Sequence, residues 1–417
     1  MCVYYSFYNP TLLTRESVSD CGLQTSRFAD EGSEKHSGAY PPASCGFYAL
    51  YERQGGFFMF FDFKLLFTQK LFLKVIVLKK SVLLFGIIPL LLCGCDNYKN
   101  NKSQSRDIFA MDTYMNIGVY GESADIALNS AEEEIRRLEK LLSVTDENSQ
   151  VCILNSADGK TISVSDDVKQ LLEFSLEAGK KTSGCLDVSV YPLLRLWGFT
   201  TDVNKIPTQA EIDEALKCVD YSQIEISGND VTLPKNLEID FGAVAKGYTS
   251  DKIAEILKEN GAASGIINLG GNVCAIGEKP DGSMWKVAVT NPFSPDETLG
   301  AVEVSDKAVV TSGNYQRYFI GENGESYCHI INPFTGFPVD NGLCSVTVIG
   351  ESGLMCDALS TALFVMGKEQ AVEFMNTQPK MSYILVEENG NVTISENINP
   401  YFKLTADLPM EIIQNEN

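Results

Sequence analysis

The chain has 417 residues, of which 44% are hydrophobic, so it can bury the core of one large domain or of two smaller ones. It contains 33 Lys and Arg residues against 55 Asp and Glu residues, a formal net charge of −22. This balance argues against general affinity for nucleic acid or anionic lipid, because there is no surplus of cations to displace counterions.

The first 95 residues do not have the pattern of a folded domain. Residues 1–73 show no sustained helical or strand period and are left unassigned, and we expect that translation starts near Lys74. Residues 74–95 place three lysines ahead of a short apolar run, which is the layout of a bacterial export signal. The run is short for a membrane span.

The apolar run ends in the sequence LCGC, which resembles the cleavage box of lipoprotein signal peptides. Cys95 is therefore the predicted lipidation site, and the alternative is a plain apolar helix that ends in cysteine. A lipidated Cys95 predicts a protein of the bacterial cell envelope, anchored to the membrane and facing its extracytoplasmic side.

The rest of the chain is divided into a polar tether at 96–108, a folded domain at 109–404 and a C-terminal tail at 405–417. Apolar residues at helical spacing predict helices at 124–142, 168–180, 209–217, 248–259 and 354–366. Strand-like runs occur at 113–120, 224–226, 231–233, 265–269, 286–290, 300–304, 318–320, 345–349, 382–386 and 392–395. Because strands often follow strands directly, we predict an α+β fold with mainly antiparallel sheets and packed helices.

Residues 238–251, EIDFGAVAKGYTSD, read as a strand-like LEID run that enters a glycine-containing turn and then a helix. The start of a helix has free backbone N–H groups and attracts anions. Lys246 is placed to neutralise a phosphate, and a turn carbonyl such as that of Ala243 can coordinate a hard cation. An ordinary strand-to-helix turn is the alternative.

Residues 356–367, CDALSTALFVMG, place Asp357 and Thr361 four positions apart on a predicted helix. Both side chains then lie on one face of the helix. A carboxylate and a hydroxyl so arranged suit Mg²⁺, which prefers oxygen ligands and completes its shell with substrate phosphates. The same spacing is common on solvated helices that bind nothing.

Two further segments carry single polar residues in apolar surroundings. Asp187 interrupts the apolar run 184–199, where a carboxylate should be paired or functional, or else caps a loop. Residues 311–314 read as a turn that leads into an aromatic strand. His329 lies at a predicted strand end and can serve as a base, a phosphate donor or a core residue.

Taken in order, these segments resemble the ApbE family of FAD:protein FMN transferases. The matching runs are MDTYM, LLSVTDENSQVCILN, GCLDVSVYPLLRLWGF, DFGAVAKGYTSD, INLGGN, VVTSGNYQRYF, HIINPFTGFP and DALSTALFVMG. They cover about 109–404, and the resemblance implies an ApbE-like, T-fold-like α+β domain. Unlike many family members, this chain has Asn332 in place of an Asp.

The resemblance also implies a ligand set. Mg²⁺ would be bound by the main-chain oxygen of Ala243 and the side chains of Asp357 and Thr361. FAD would contact a group of six residues: Met111, Asn148, Ser149, Asp187, Lys246 and Ile331. "INLGGN" would supply a strand and a tight glycine turn beside the flavin.

The implied reaction joins FMN to a Thr or Ser hydroxyl of a target protein, with FAD as the donor and AMP as the leaving group. His329 and Asp357 are the implied catalytic residues, since a base must take the hydroxyl proton and a metal must neutralise the phosphates. The expected partner is an electron-transfer protein with a Thr/Ser flavinylation motif. A Mg²⁺-dependent FAD pyrophosphatase and a non-catalytic FAD-binding lipoprotein are the alternatives.

Overall fold

The structure is a computed structural model that describes residues 103–201 and 203–414. The predicted signal segment, Cys95 and residues 1–73 lie outside the described residues. In the described part of the chain, no helix is both long enough and apolar enough to cross a membrane.

The largest element of the described part is a nine-stranded sheet with the order β1-β2-β6-β7-β10-β13-β14-β15-β17. All neighbouring pairs are antiparallel except β15 and β17, which are parallel. Its strands are β1 (Ser103–Ala110), β2 (Thr113–Tyr120), β6 (Ser264–Leu269), β7 (Asn272–Ile276), β10 (Ala308–Gly313), β13 (Leu343–Gly350), β14 (Ser382–Glu387), β15 (Val392–Ser395) and β17 (Met410–Ile413).

Three smaller sheets complete the β structure of the described residues. They are built from β3 (Ile162–Ser163), β4 (Glu225–Ser227) and β5 (Asp230–Thr232); from β8 (Trp285–Asn291), β9 (Ser294–Val304) and β16 (Phe402–Leu404); and from the hairpin β11 (Tyr318–Ile320) and β12 (Ser326–Cys328).

Helices follow an amphipathic pattern where they cover the sheet. They are α1 (Ala124–Leu142), α2 (Gln150–Asn155), α3 (Asp166–Lys181), α4 (Tyr191–Trp197), α5 (Gln209–Leu216), α6 (Ala245–Glu259), α7 (Gly353–Met366) and α8 (Lys368–Asn376). Helix α1 buries its apolar stripe and exposes its charges, whereas α7 is buried on nearly all sides. A helix that is apolar all round belongs in a core, and α7 lies at the centre of this one.

The two faces of the large sheet pack against different layers, because side chains alternate along a strand. Val310 and Val348 belong to the core cluster that includes α1, α6 and α7. Their neighbours Val309 and Ile349 belong to a second cluster, which includes residues of β8, β9 and β16. The domain therefore has three layers: helices, a large sheet and a small sheet.

The fold confirms the predicted α+β class and the mainly antiparallel pairing, and it extends the domain at both ends. Strand β1 begins at Ser103 and pairs with β2 along its whole length, so residues 103–108 are not a tether. Strand β17 pairs with β15, so residues 410–413 of the predicted tail at 405–417 belong to the sheet. Both edge strands were missed because β1 begins with the polar run SQSRD and β17 has only four residues, so neither shows a clear strand pattern.

The predicted helices and most strands agree with the structure to within a few residues, but two local predictions were wrong. The LEID run at 237–240 does not form a strand. Residues 311–313 belong to β10, and the predicted turn lies instead at 314–316. In both places polar residues or glycines indicate that the chain changes direction, but they do not indicate at which residue the change occurs.

Candidate active site

The site is organised by a close crossing of helices α6 and α7. Two glycines, Gly247 and Gly353, face each other there. A Cβ atom added to Gly247 would lie 2.3 Å from the Gly353 carbonyl oxygen and 2.6 Å from the Asp357 Cβ atom. The missing side chain therefore brings the two backbones together. This contact joins two segments that are 110 positions apart in sequence.

The Asp357 carboxylate enters the first turn of α6 at this crossing. Its Oδ2 atom accepts a hydrogen bond of 2.8 Å from the Gly247 backbone N–H. Because α6 begins at Ala245, Gly247 lies in its first turn, where backbone N–H groups have no acceptor within the helix. Tyr248 does donate to Val244 in the regular way.

The Ala243 carbonyl oxygen, which precedes the helix, accepts no hydrogen bond within the described residues. The fold brings the Asp357 carboxylate to the first turn of α6, four residues after Ala243. The oxygen chemistry of these two groups fits a hard cation such as Mg²⁺.

Thr361 lies one turn after Asp357 on α7, as the spacing predicts. Its hydroxyl is 3.3 Å from the Ser312 hydroxyl, which in turn is 2.8 Å from that of Ser360. This chain of hydroxyls holds the Thr361 side chain against β10. A hydroxyl in such a network keeps a lone pair for a further donor or a cation.

Burial dominates the electrostatics of Asp357, which is only 4% exposed. Desolvation raises the pKa of its carboxyl, while the positive charge of Lys246, the Asn272 amide and the Gly247 N–H lower it. The Asn272 side-chain nitrogen lies nearby but forms no hydrogen bond of normal geometry. A buried carboxylate with an unsatisfied amide beside it fits a site that another ligand completes.

His329 follows β12 directly and is held by Arg317. The Arg317 carbonyl oxygen accepts the His329 backbone N–H at 2.9 Å and contacts the ring Nδ1 at 3.1 Å. Since a carbonyl can only accept, Nδ1 carries the proton and Nε2 keeps its lone pair. Desolvation and the charges of Arg317 and Lys246 lower the pKa of His329 to about 3, so the ring is neutral at physiological pH.

Asp240 is a further carboxylate near Arg317 and Lys246. Its side chain accepts a hydrogen bond from the Gly242 backbone N–H. Desolvation raises the pKa of Asp240, and the same two cations, Arg317 and Lys246, lower it. The four charged or titratable groups Asp240, Lys246, Arg317 and His329 therefore lie in one neighbourhood.

Met111 lies in the two-residue turn between β1 and β2. Met111 and Asp112 have φ angles of 49° and 54°, which is the left-handed region and is uncommon for residues other than glycine. Glu139 of α1 fixes this turn by accepting the Met111 N–H at 2.7 Å. The Thr249 hydroxyl of α6 is 3.8 Å from the Met111 sulfur. Met111 thus lies against the helix that carries Lys246.

The family model for ApbE matches residues 111–385, about two thirds of the chain. The chain belongs to the ApbE family. This match starts at the strained turn and includes every segment of the site described above. Helices α6 and α7 and the β11–β12 hairpin therefore all lie in the region that the family model covers.

Individual relatives from the ApbE family agree with this assignment. The FAD:protein FMN transferase of Klebsiella pneumoniae is 32% identical over 266 residues, which cover 63% of this chain and 82% of the relative. The enzyme of the same name from Treponema pallidum is 29% identical over 338 residues, covering 75% and 93%. The solved ApbE protein of Thermotoga maritima has a TM-score of 0.69 at 31% identity and covers 72% of this chain and 99% of that one.

The other residues that the ApbE resemblance predicts to contact FAD form different hydrogen bonds with their side chains. Asp187 accepts from the Ser189 N–H at 2.7 Å and the Ser189 hydroxyl at 2.6 Å, and desolvation raises its pKa. The Ser149 hydroxyl is buried and accepts from the Cys152 N–H as the cap of α2. Asn148 is exposed and bonds to Asp146.

Ile331 is buried against α4 and α5 and forms an isolated bridge with Pro338. Next to it, the Asn332 side-chain oxygen accepts from the backbone N–H groups of Phe334, at 2.9 Å, and Thr335, at 3.3 Å. A carboxylate could accept the same two bonds. The amide at position 332 therefore supports this turn as an Asp would.

Sequence reasoning missed Gly247, Asp240 and Arg317 as site residues, although all three lie in segments that it quoted. Each is an ordinary residue of a turn or helix until a distant segment is brought against it. For Arg317 one signal was available, because a cation beside a candidate histidine segment is uncommon in so acidic a chain.

We expect the Gly247→Ala variant to be less stable than the wild type. Alanine normally stabilises a helix by about 1 kcal/mol relative to glycine. Here the clash with the α7 backbone should cost about 3 kcal/mol, so the substitution should lower the stability of the protein. We therefore expect Tm, measured by calorimetry, to fall by roughly 4–8 °C.

Gly228→Ala is the control for this change. Gly228 has a φ of 63° but nothing within 4 Å of an added Cβ, so its substitution adds strain without a clash. Its Tm should fall by less than that of Gly247→Ala. A Gly247→Ala protein as stable as the wild type would contradict the close helix crossing.

Proposed function

We propose that the chain is a Mg²⁺-dependent FAD:protein FMN transferase. The observation that carries the proposal is the hydrogen bond between the Gly247 N–H and Asp357, because it holds a buried carboxylate at the first turn of the helix that the unpaired Ala243 carbonyl precedes. The proposed cation site would then lie near Lys246, whose positive charge acts on both Asp357 and His329. The name shared by the curated relatives supports the same reaction.

The proposed residues have distinct tasks. The Ala243 oxygen, Asp357 and Thr361 would hold Mg²⁺, and the ion would supply positive charge to the pyrophosphate of FAD. Lys246 would bind a phosphate oxygen from the start of α6. Met111, Asp187 and the chain near Ile331 would contact FAD, with Asn148 and Ser149 close by.

The chemistry requires one proton transfer by the protein. A Thr or Ser oxygen of the acceptor attacks the phosphorus of the FMN half, and the bond from that phosphorus to the oxygen of the AMP phosphate breaks. The hydroxyl proton moves to the His329 Nε2 atom, whose lone pair is free because Nδ1 donates to the Arg317 carbonyl. The products are FMN joined to the protein through a phosphoester, and AMP.

The decisive experiment incubates the mature protein with FAD, Mg²⁺ and a peptide that carries the acceptor Thr. We expect the peptide to gain the mass of a phosphoester-linked FMN, with one AMP released for each FMN joined. Release of AMP and free FMN alone would indicate a pyrophosphatase. Tight FAD binding without either product would indicate a carrier, and both outcomes would overturn the transferase proposal.

We further propose that the protein acts at the outer surface of the bacterial membrane, anchored by lipid on Cys95. The support for this is the lysine-flanked apolar run and the LCGC sequence. The acceptor would then be an electron-transfer protein of the same compartment. Mass spectrometry of the exported protein tests the anchor, since an unmodified chain that retains residues 1–70 would refute it.

A further inference from the structure

Arg317 and Lys246 are two cations without a carboxylate partner. Within residues 103–201 and 203–414, neither side chain forms a salt bridge. The other four arginines of the described residues form salt bridges, as Arg195 does with Glu238 at 2.9 Å, whereas several lysines besides Lys246 do not. Arg317 and Lys246 therefore place two positive charges near one histidine in a protein of negative net charge.

The Arg317 guanidinium is oriented by one hydrogen bond. Its Nη2 atom donates to the Phe199 carbonyl oxygen at 3.1 Å, which uses one of its five N–H groups. The residue is exposed, so the other donors remain open to a ligand. A planar guanidinium with free N–H groups matches the geometry of two phosphate oxygens.

The same residue holds His329 through its main chain, since its carbonyl oxygen accepts from both His329 nitrogens described above. The Arg317 main chain is therefore fixed to the catalytic candidate, and its side chain is fixed to Phe199. Asp240 is near both cations but is not within salt-bridge distance of either. Its carboxylate offsets only part of their combined charge.

We propose that Arg317 binds a phosphate of the FAD pyrophosphate, as the second cation of a clamp whose first member is Lys246. This inference rests on the proposed function for the identity of the dinucleotide. It assigns Arg317 a direct contact with the substrate. The bidentate fork would fix the orientation of the phosphate next to the His329 ring.

The test compares binding of FAD and of riboflavin to the wild type and to Arg317→Gln. Riboflavin has the same ring system but no phosphate, and fluorescence quenching measures both ligands without requiring catalysis. We expect the Kd for FAD to rise roughly tenfold to a hundredfold, which is the usual effect of losing a charged hydrogen-bond pair. The Kd for riboflavin should stay within about twofold.

Arg195→Gln is the matched control, because Arg195 is already paired with Glu238. This substitution should leave the affinities for FAD and riboflavin unchanged. An equal FAD affinity in Arg317→Gln and the wild type would overturn the proposal. So would an equal loss for FAD and riboflavin, which would show a distorted pocket. Arg317→Lys, which keeps the charge but not the fork, should give an intermediate loss and serves if the Gln variant does not fold.

This result is independent of whether FMN is transferred. If the wild type binds FAD through Arg317 but modifies no acceptor, the transferase proposal fails and the phosphate clamp stands. If the wild type transfers FMN and Arg317→Gln does so with an unchanged KM for FAD, the clamp fails alone.

Discussion

Replacing Asp357 by Asn is expected to lower the Mg²⁺-dependent transfer rate by about a thousandfold. The amide is nearly the same size and can still accept the Gly247 N–H through its oxygen, so the helix crossing should survive. What is lost is the negative charge that holds the cation, and a bound metal ion commonly contributes several kcal/mol to transition-state stabilisation. The measurement is kcat/KM for FMN transfer over a range of Mg²⁺ concentrations.

Asp251→Asn is the control for this substitution. Asp251 is also largely buried, and its carboxylate accepts from the backbone N–H groups of Gly353 and Leu354 at the start of α7. We expect it to lower Tm but to leave the Mg²⁺ concentration for half-maximal rate unchanged. Undiminished turnover in Asp357→Asn would refute the proposed cation site.

Replacing His329 by Asn is expected to slow transfer by roughly 10²–10⁴-fold, the usual contribution of a general base. The Asn side chain can donate to the Arg317 carbonyl as Nδ1 does, but it has no group that takes up a proton. FAD binding should therefore persist while kcat falls. Single-turnover transfer and FAD titration, run side by side, separate the two effects.

His329→Gln distinguishes a base from a phosphate donor. Its amide N–H can approach the position of Nε2 and donate to a phosphate, yet it cannot accept the acceptor's proton. If His329 is the base, the Gln variant should transfer FMN as slowly as the Asn variant. Recovery of the rate in the Gln variant would assign the histidine to phosphate binding instead.

The pH dependence follows from the low pKa of this histidine. With a folded-state pKa of about 3, His329 loses its proton well below neutral pH, and kcat/KM should show no loss from its protonation between pH 5 and 8. Removing a neighbouring positive charge raises a depressed imidazole pKa. Arg317→Gln should therefore move the acid limb of kcat/KM upward, relative to the wild type.

Much of the fold could be predicted from the sequence because its signals are local. Helix α1 shows its apolar stripe within 19 residues, and β2 shows its strand pattern within eight. The edges were the least predictable part. Strands β1 and β17 gain their conformation from pairing with partners elsewhere in the chain, and that pairing is not encoded in their own composition.

The candidate site likewise has a part that the sequence predicts and a part that only the structure shows. The sequence by itself determined that Asp357 and Thr361 share a face of one helix, because a period of 3.6 residues fixes that relation. It also singled out His329 and the turn at Ala243. Only the tertiary structure decided that Asp357 meets the segment that contains Ala243, since Gly247 and Gly353 let two helices far apart in sequence approach until Asp357 accepts the Gly247 N–H.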